Sequence, residues 1–105
     1  MNMLHESKVK NILSQIVELA KPKRVVLFGS LARGQNRAND IDLLVIVAND
    51  INVRETSANL QRGVRRGGIA LDLLVITESE LAERAADPSS VVFYALKEGR
   101  VLHVA

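Results

Sequence analysis

The chain has 105 residues, of which 14 are basic and 12 acidic, for a net charge of +2 at neutral pH. One domain spanning residues 1–105 is expected at this length, with a core that needs no covalent staple, and the absence of cysteine excludes both a disulfide framework and a thiolate metal centre. The weak positive balance gives no reason to expect nucleic acid as a direct partner, no apolar run approaches the roughly 20 residues of a membrane span, and Glu6 with its polar neighbours stands where a secretory signal needs an apolar stretch; a cytoplasmic protein is expected.

Hydrophobic residues make up 48% of the chain and aromatic ones only 3%, so aliphatic side chains must fill the core. From about Glu6 to Ala20 the residues Val9, Ile12, Leu13, Ile16, Val17 and Ala20 recur at helical spacing and predict a helix with one buried stripe. Pro22 should end it, because the residue before a proline avoids the helical region. Arg24 to Phe28 is a short β-branched run, read as a strand buried on both faces. A glycine-rich turn follows, and Ile41 to Val47 is a second buried strand stopped by Asn49-Asp50.

Val53, Ser57, Leu60 and Val64 share one stripe of a further helix, which Gly67-Gly68 should break. Ile69 to Ile76 predicts a third strand, and Thr77 with Glu80 three residues on is a capping-box signature for the next helix. Asp87-Pro88 reads as the start of a last helix, with an N-cap aspartate before a first-turn proline, and Gly99 as its stop. Arg100 to Val104 adds an edge strand. Strands alternating with helices predict an α/β (α+β) domain with a mixed central sheet flanked by helices; the order of the strands is not legible.

Three features converge on one site. Gly29-Ser30 directly follows a strand, where glycine lets successive N–H groups turn toward an anion and serine adds a hydroxyl; Arg33 and Gly34 extend the same loop. Alone, this is an ordinary turn. Asp40 and Asp42 stand at i and i+2 at the mouth of a strand, so their side chains share a face, and like charges so placed favour a cation between them. Either aspartate alone would read as a cap or a solvated strand-end residue. Asp72 interrupts the apolar run Ile-Ala-Leu-Asp-Leu-Leu-Val-Ile, where a carboxylate needs a partner or a metal; the plainer reading is an exposed position paired with an arginine. Three carboxylates beside a phosphate-binding turn suit two magnesium ions, a hard cation held by oxygen ligands and substrate phosphates.

Gly29-Ser30, Arg33-Gly34, Asp40-Ile-Asp42-Leu-Leu-Val and Asp72, in that order, resemble the polymerase-β-like nucleotidyltransferase superfamily, and more narrowly its minimal nucleotidyltransferases. The resemblance covers nearly the whole chain. It implies the nucleotidyltransferase fold and the transfer of a nucleoside monophosphate from a nucleoside triphosphate, ATP above all, to an acceptor hydroxyl. Gly29 and Ser30 then match the triphosphate-binding pair, Asp40, Asp42 and Asp72 the metal ligands, and Arg33 a position suited to phosphate contact. Asn39 stands where many members have serine, and the nine residues 31–39 make that loop one shorter than in many members. Minimal nucleotidyltransferases are commonly paired with HEPN-domain toxins, which implies an antitoxin that adenylylates its partner.

Two other readings are open: a binding module that masks its partner without catalysis, and a small-molecule, antibiotic-type nucleotidyltransferase, for which a homo-oligomer would have to supply the missing acceptor wall. Elsewhere, His5 and His103 read as solvated residues near the chain ends. Arg62, Arg65 and Arg66 read as a solvated helix end, and Tyr94 as helix packing or as part of an interface.

Overall fold

The computed structural model describes residues 3–35 and 40–105. Helix α1 covers Met3–Ala20, three residues longer at its start than the apolar stripe marks. It ends before Pro22, with Lys21 in the left-handed region at φ 46° and donating its N–H to the Val17 carbonyl at 3.0 Å. Strand β1 (Arg24–Phe28) and a short helix α2 (Gly29–Ala32) follow, the latter where a turn was expected. Strand β2 (Asp40–Val47), helix α3 (Val53–Gly63) and strand β3 (Ala70–Thr77) come next, then α4 (Glu78–Arg84), α5 (Val91–Glu98) and β4 (Arg100–Val104).

The four strands form one sheet in the order β3-β2-β1-β4. β2 pairs parallel with β3 through the α3 crossover, whereas β1 pairs antiparallel with both β2 and β4. The sheet is therefore mixed and flanked by helices, as the alternation of elements implied, with β4 at one edge.

Alternation along the strands divides the core in two. Val25, Leu27, Ile41, Leu43, Val45 and Val75 pack with Ile12 and Ile16 of α1 and Leu60 of α3 on one face. Val26, Leu44, Ile46 and Ile76 pack with Val92 and Ala95 of α5 on the other, where Leu81 of α4 is partly buried against them. Central strands with apolar residues on both faces explain the unbroken runs in β1 and β2.

Local chemistry corrects four expectations. Helix α3 ends at Gly63, before Gly67-Gly68: Val64 turns extended to bury its side chain, and the Gln15 amide grips the Arg65 backbone, accepting from its N–H at 2.7 Å and donating to its carbonyl at 2.9 Å. Helix α5 starts at Val91 with Ser90 as its cap, the Ser90 Oγ accepting from the Val92 N–H at 3.1 Å. Asp87 instead closes a tight turn, accepting from the Ser89 N–H at 3.0 Å and the Ser89 hydroxyl at 2.7 Å, bonds that hold its carboxyl below the usual range. His5 is buried at 7% exposure and His103 half-buried, so neither is a solvated end residue. Thr77 does cap α4, its Oγ1 accepting from the Glu80 N–H at 3.2 Å.

Gly99 stops α5, but not through a left-handed conformation. A Cβ there would stand 2.1 Å from the Ala95 carbonyl oxygen and 2.8 Å from that of Leu27, so glycine is what lets the chain pass between α5 and β1. Among the described residues no helix is long and apolar enough to cross a membrane.

Candidate active site

The sheet brings the predicted carboxylates to one place. In the β2–β3 ladder Asp40 lies opposite Ala70 and Asp42 directly opposite Asp72. By strand alternation Asp40 and Asp42 share the face of Leu44 and Ile46, which is the α5 side, and Asp72 shares it with Leu74 and Ile76. Across the other ladder Asp42 faces Phe28, the residue before Gly29. Strand pairing thus sets two carboxylates side by side against the start of the glycine-serine turn.

The electrostatics follow. The Asp42 carboxyl is held above its usual range, first by burial, then by a carboxyl–carboxyl contact with Asp72 and the negative charges of Asp72 and Asp40; the Arg33 guanidinium works in the opposite direction. Two acids in contact can share a proton or a cation, and a divalent oxygen-preferring ion would remove the repulsion altogether. The donor set therefore fits magnesium. As placed, no three His, Asp or Glu side chains among the described residues already enclose an ion.

Gly29 sits at φ +77°, in the left-handed region that other residues resist. A Cβ on it would fall 2.1 Å from Asp42 Oδ2 and 3.0 Å from Asp42 Cγ. The glycine keeps clear the space that the carboxylate occupies, a steric role that its place after a strand could not reveal. Ser30 is half-buried, and its carbonyl accepts the Gln35 N–H at 3.1 Å. The Gly34 N–H returns to Leu31 at 3.1 Å with Gly34 at φ +83°, which closes α2 and makes this glycine a helix stop as well as a loop residue.

Arg33 is half-exposed, and its guanidinium lies 3.9 Å from the Glu98 carboxylate at the end of α5. Glu98 was missed by the sequence reading, and nothing in its surroundings could have marked it: 65 residues separate it from Arg33, and only the packing of α5 on β1 brings it there. Asn39 and the residues 36–39 of the shortened loop lie outside the described residues.

Such a mixed sheet, with an acidic pair facing a glycine-serine turn, has the layout of nucleotidyl-transfer domains. A profile of the nucleotidyltransferase domain matches residues 6–102, and the chain belongs to that family. A comparison with curated proteins gave no match. Among solved structures, a protein from Sulfolobus solfataricus assigned as a nucleotidyltransferase shares 27% identity at a TM-score of 0.56, over 77% of this chain and 73% of the other. The toxin–antitoxin pair MntA–HpeT, solved as a tyrosine-to-alanine mutant, matches at 19% identity and a TM-score of 0.54, over 91% of this chain and 72% of that one, a likeness of fold.

Proposed function

We propose that this chain is a magnesium-dependent nucleotidyltransferase that moves AMP from ATP to a hydroxyl of a partner protein, and that it serves in the cytoplasm as the antitoxin of a HEPN-domain toxin. The observation that carries the reading is the placement of Asp72 directly beside Asp42 on the face that Gly29 keeps open. The fold likeness to MntA, itself a member of a toxin–antitoxin pair, supports the partner class.

Two magnesium ions would supply charge neutralisation on the triphosphate and lower the cost of exposing the acceptor oxygen. Asp40 and Asp42, on one strand face, would hold them, and Asp72 would complete the ligand set. Gly29 and Ser30 would receive phosphate oxygens through backbone N–H groups and the serine hydroxyl. Arg33, with Gly34 fixing its turn, would offer its guanidinium to the phosphates in place of Glu98. The acceptor oxygen bonds to the α-phosphorus as the bond to pyrophosphate breaks, and the hydroxyl proton passes to a carboxylate oxygen of Asp72. Catalysis is then mainly positioning and electrostatics.

Incubation with α-phosphate-labelled ATP, magnesium and a cognate HEPN-domain toxin should label that toxin, and Asp42→Ala should abolish the label. Absence of labelling, with Asp42→Ala neutralising the toxin as well as the wild type does, would replace catalysis by simple masking of the partner.

A further inference from the structure

On the opposite face of the sheet from the carboxylates, α1 and the loop before β3 enclose a cleft of about 380 Å³. Its walls carry Lys8, Arg65 and Arg66, with Ser7, Asn11 and Gly67, and no acidic side chain. The ion pairs found among the described residues are Arg33–Glu98 and Arg84–Glu80, so the three cations of the cleft have no carboxylate partner among those residues. Arg62, in the last turn of α3, and Arg65 are exposed as the sequence suggested, but Arg66 is half-buried, and the loop that carries it lies beyond the end of α3 at Gly63 and is held from two sides. Gln15 of α1 clamps the Arg65 backbone, and the Arg66 guanidinium is bonded to the Gln61 side chain.

The backbone adds donors to the charge. Gly67 and Gly68 both have positive φ, at 60° and 83°, with no atom within 4 Å of where a Cβ would stand. The Ile69 N–H turns back to the Arg66 carbonyl at 3.3 Å, whereas the Gly67 and Gly68 amides have no such acceptor among the described residues. The Gly67 amide at the cleft, with the held Arg66 guanidinium and the cations of Arg65 and Lys8, suits a tetrahedral oxyanion. No aromatic side chain lines the cleft, so it offers no stacking surface for a base.

We propose that this cleft is a second anion site, separate from the carboxylates, that takes a small compound with linked phosphates: pyrophosphate or the polyphosphate tail of a nucleotide. The chain's net charge of +2 disfavours a long nucleic acid as the occupant, because a polymer would need a wider basic surface. The site does not depend on the reading of the carboxylates, since it needs no metal.

The test is a titration of the full chain with sodium pyrophosphate in EDTA, followed by amide NMR. The Gly67 and Gly68 signals should shift saturably, and Arg65→Ala/Arg66→Ala should weaken binding by about tenfold or more. Lys8→Ala, on the surface of α1, should weaken it in the same direction, and unchanged dispersion of the remaining amide signals would show that each variant is folded. Shifts that do not saturate, that are confined to Gly29–Gly34, or that keep their affinity in all these variants would overturn the proposal. So would a short single-stranded oligoribonucleotide that bound the same residues more than about tenfold tighter than pyrophosphate, since the occupant would then be a polymer.

Discussion

Gly29 offers the sharpest separation of structure from chemistry. In Gly29→Ala the new methyl meets two obstacles: a left-handed backbone at φ +77°, and Asp42 Oδ2 at 2.1 Å. The first costs about 1–2 kcal/mol for an L-residue. The second is the end of a side chain, which can rotate away at little cost in stability but cannot then keep its place beside Asp72. Gly68→Ala shares only the first burden, with φ +83° and nothing within 4 Å. Both variants should therefore lose similar stability in a thermal melt, a fall of about 5–10 °C for a chain this size. Manganese binding at the carboxylates, measured by calorimetry, should be weakened about tenfold or more in Gly29→Ala alone, since displacing one carboxylate removes a charged ligand. Equal manganese affinity in the two variants would refute the claim that Gly29 exists to seat Asp42.

Three further outcomes follow from particular contacts. Because the folded state raises the Asp42 carboxyl above its unfolded value of 3.8, the folded protein holds more proton than the unfolded chain in the window just above that value; stability should fall as pH rises through it, and Asp42→Asn should flatten that slope in urea titrations at several pH values. Saturating magnesium should oppose the same fall, by binding the folded form. Gly99→Ala has no φ penalty but drives a methyl into the Ala95 and Leu27 carbonyl oxygens, which are backbone and cannot rotate away; urea unfolding should show a loss of about 1–3 kcal/mol or more. Ser90→Ala should cost about 1 kcal/mol by removing the α5 cap, and Asp87→Ala should cost less by the same measurement; the reverse order would restore Asp87 as the cap.

The split between what could and could not be read from the chain follows the range of the interactions. β1 was legible to the residue because its apolar run is bounded by Pro22 and Gly29, both local signals. The start of α5 was not, since Asp87-Pro88 and Ser89-Ser90 both carry cap chemistry, and the Asp87 side chain is taken up by its own turn. The end of α3 depends on Gln15, 50 residues away, gripping the Arg65 backbone, a competition no local pattern reports.

The same division runs through the site. Asp40 and Asp42 announce themselves by their spacing, and the shared face follows from strand geometry alone. That Asp72 would stand opposite Asp42, and not two residues away, is a matter of parallel register, and a register shift of one would have turned it to the α1 side of the sheet. Register here is held by the rest of the ladder, where Leu71 and Val75 are buried in one core and Ile76 in the other, so that a shift of one would exchange the two faces. The apolar residues of β3 thus determine where its one charge falls, and a substitution that loosened them, such as Val75→Thr, would be expected to disturb metal binding at Asp72 before it unfolded the sheet.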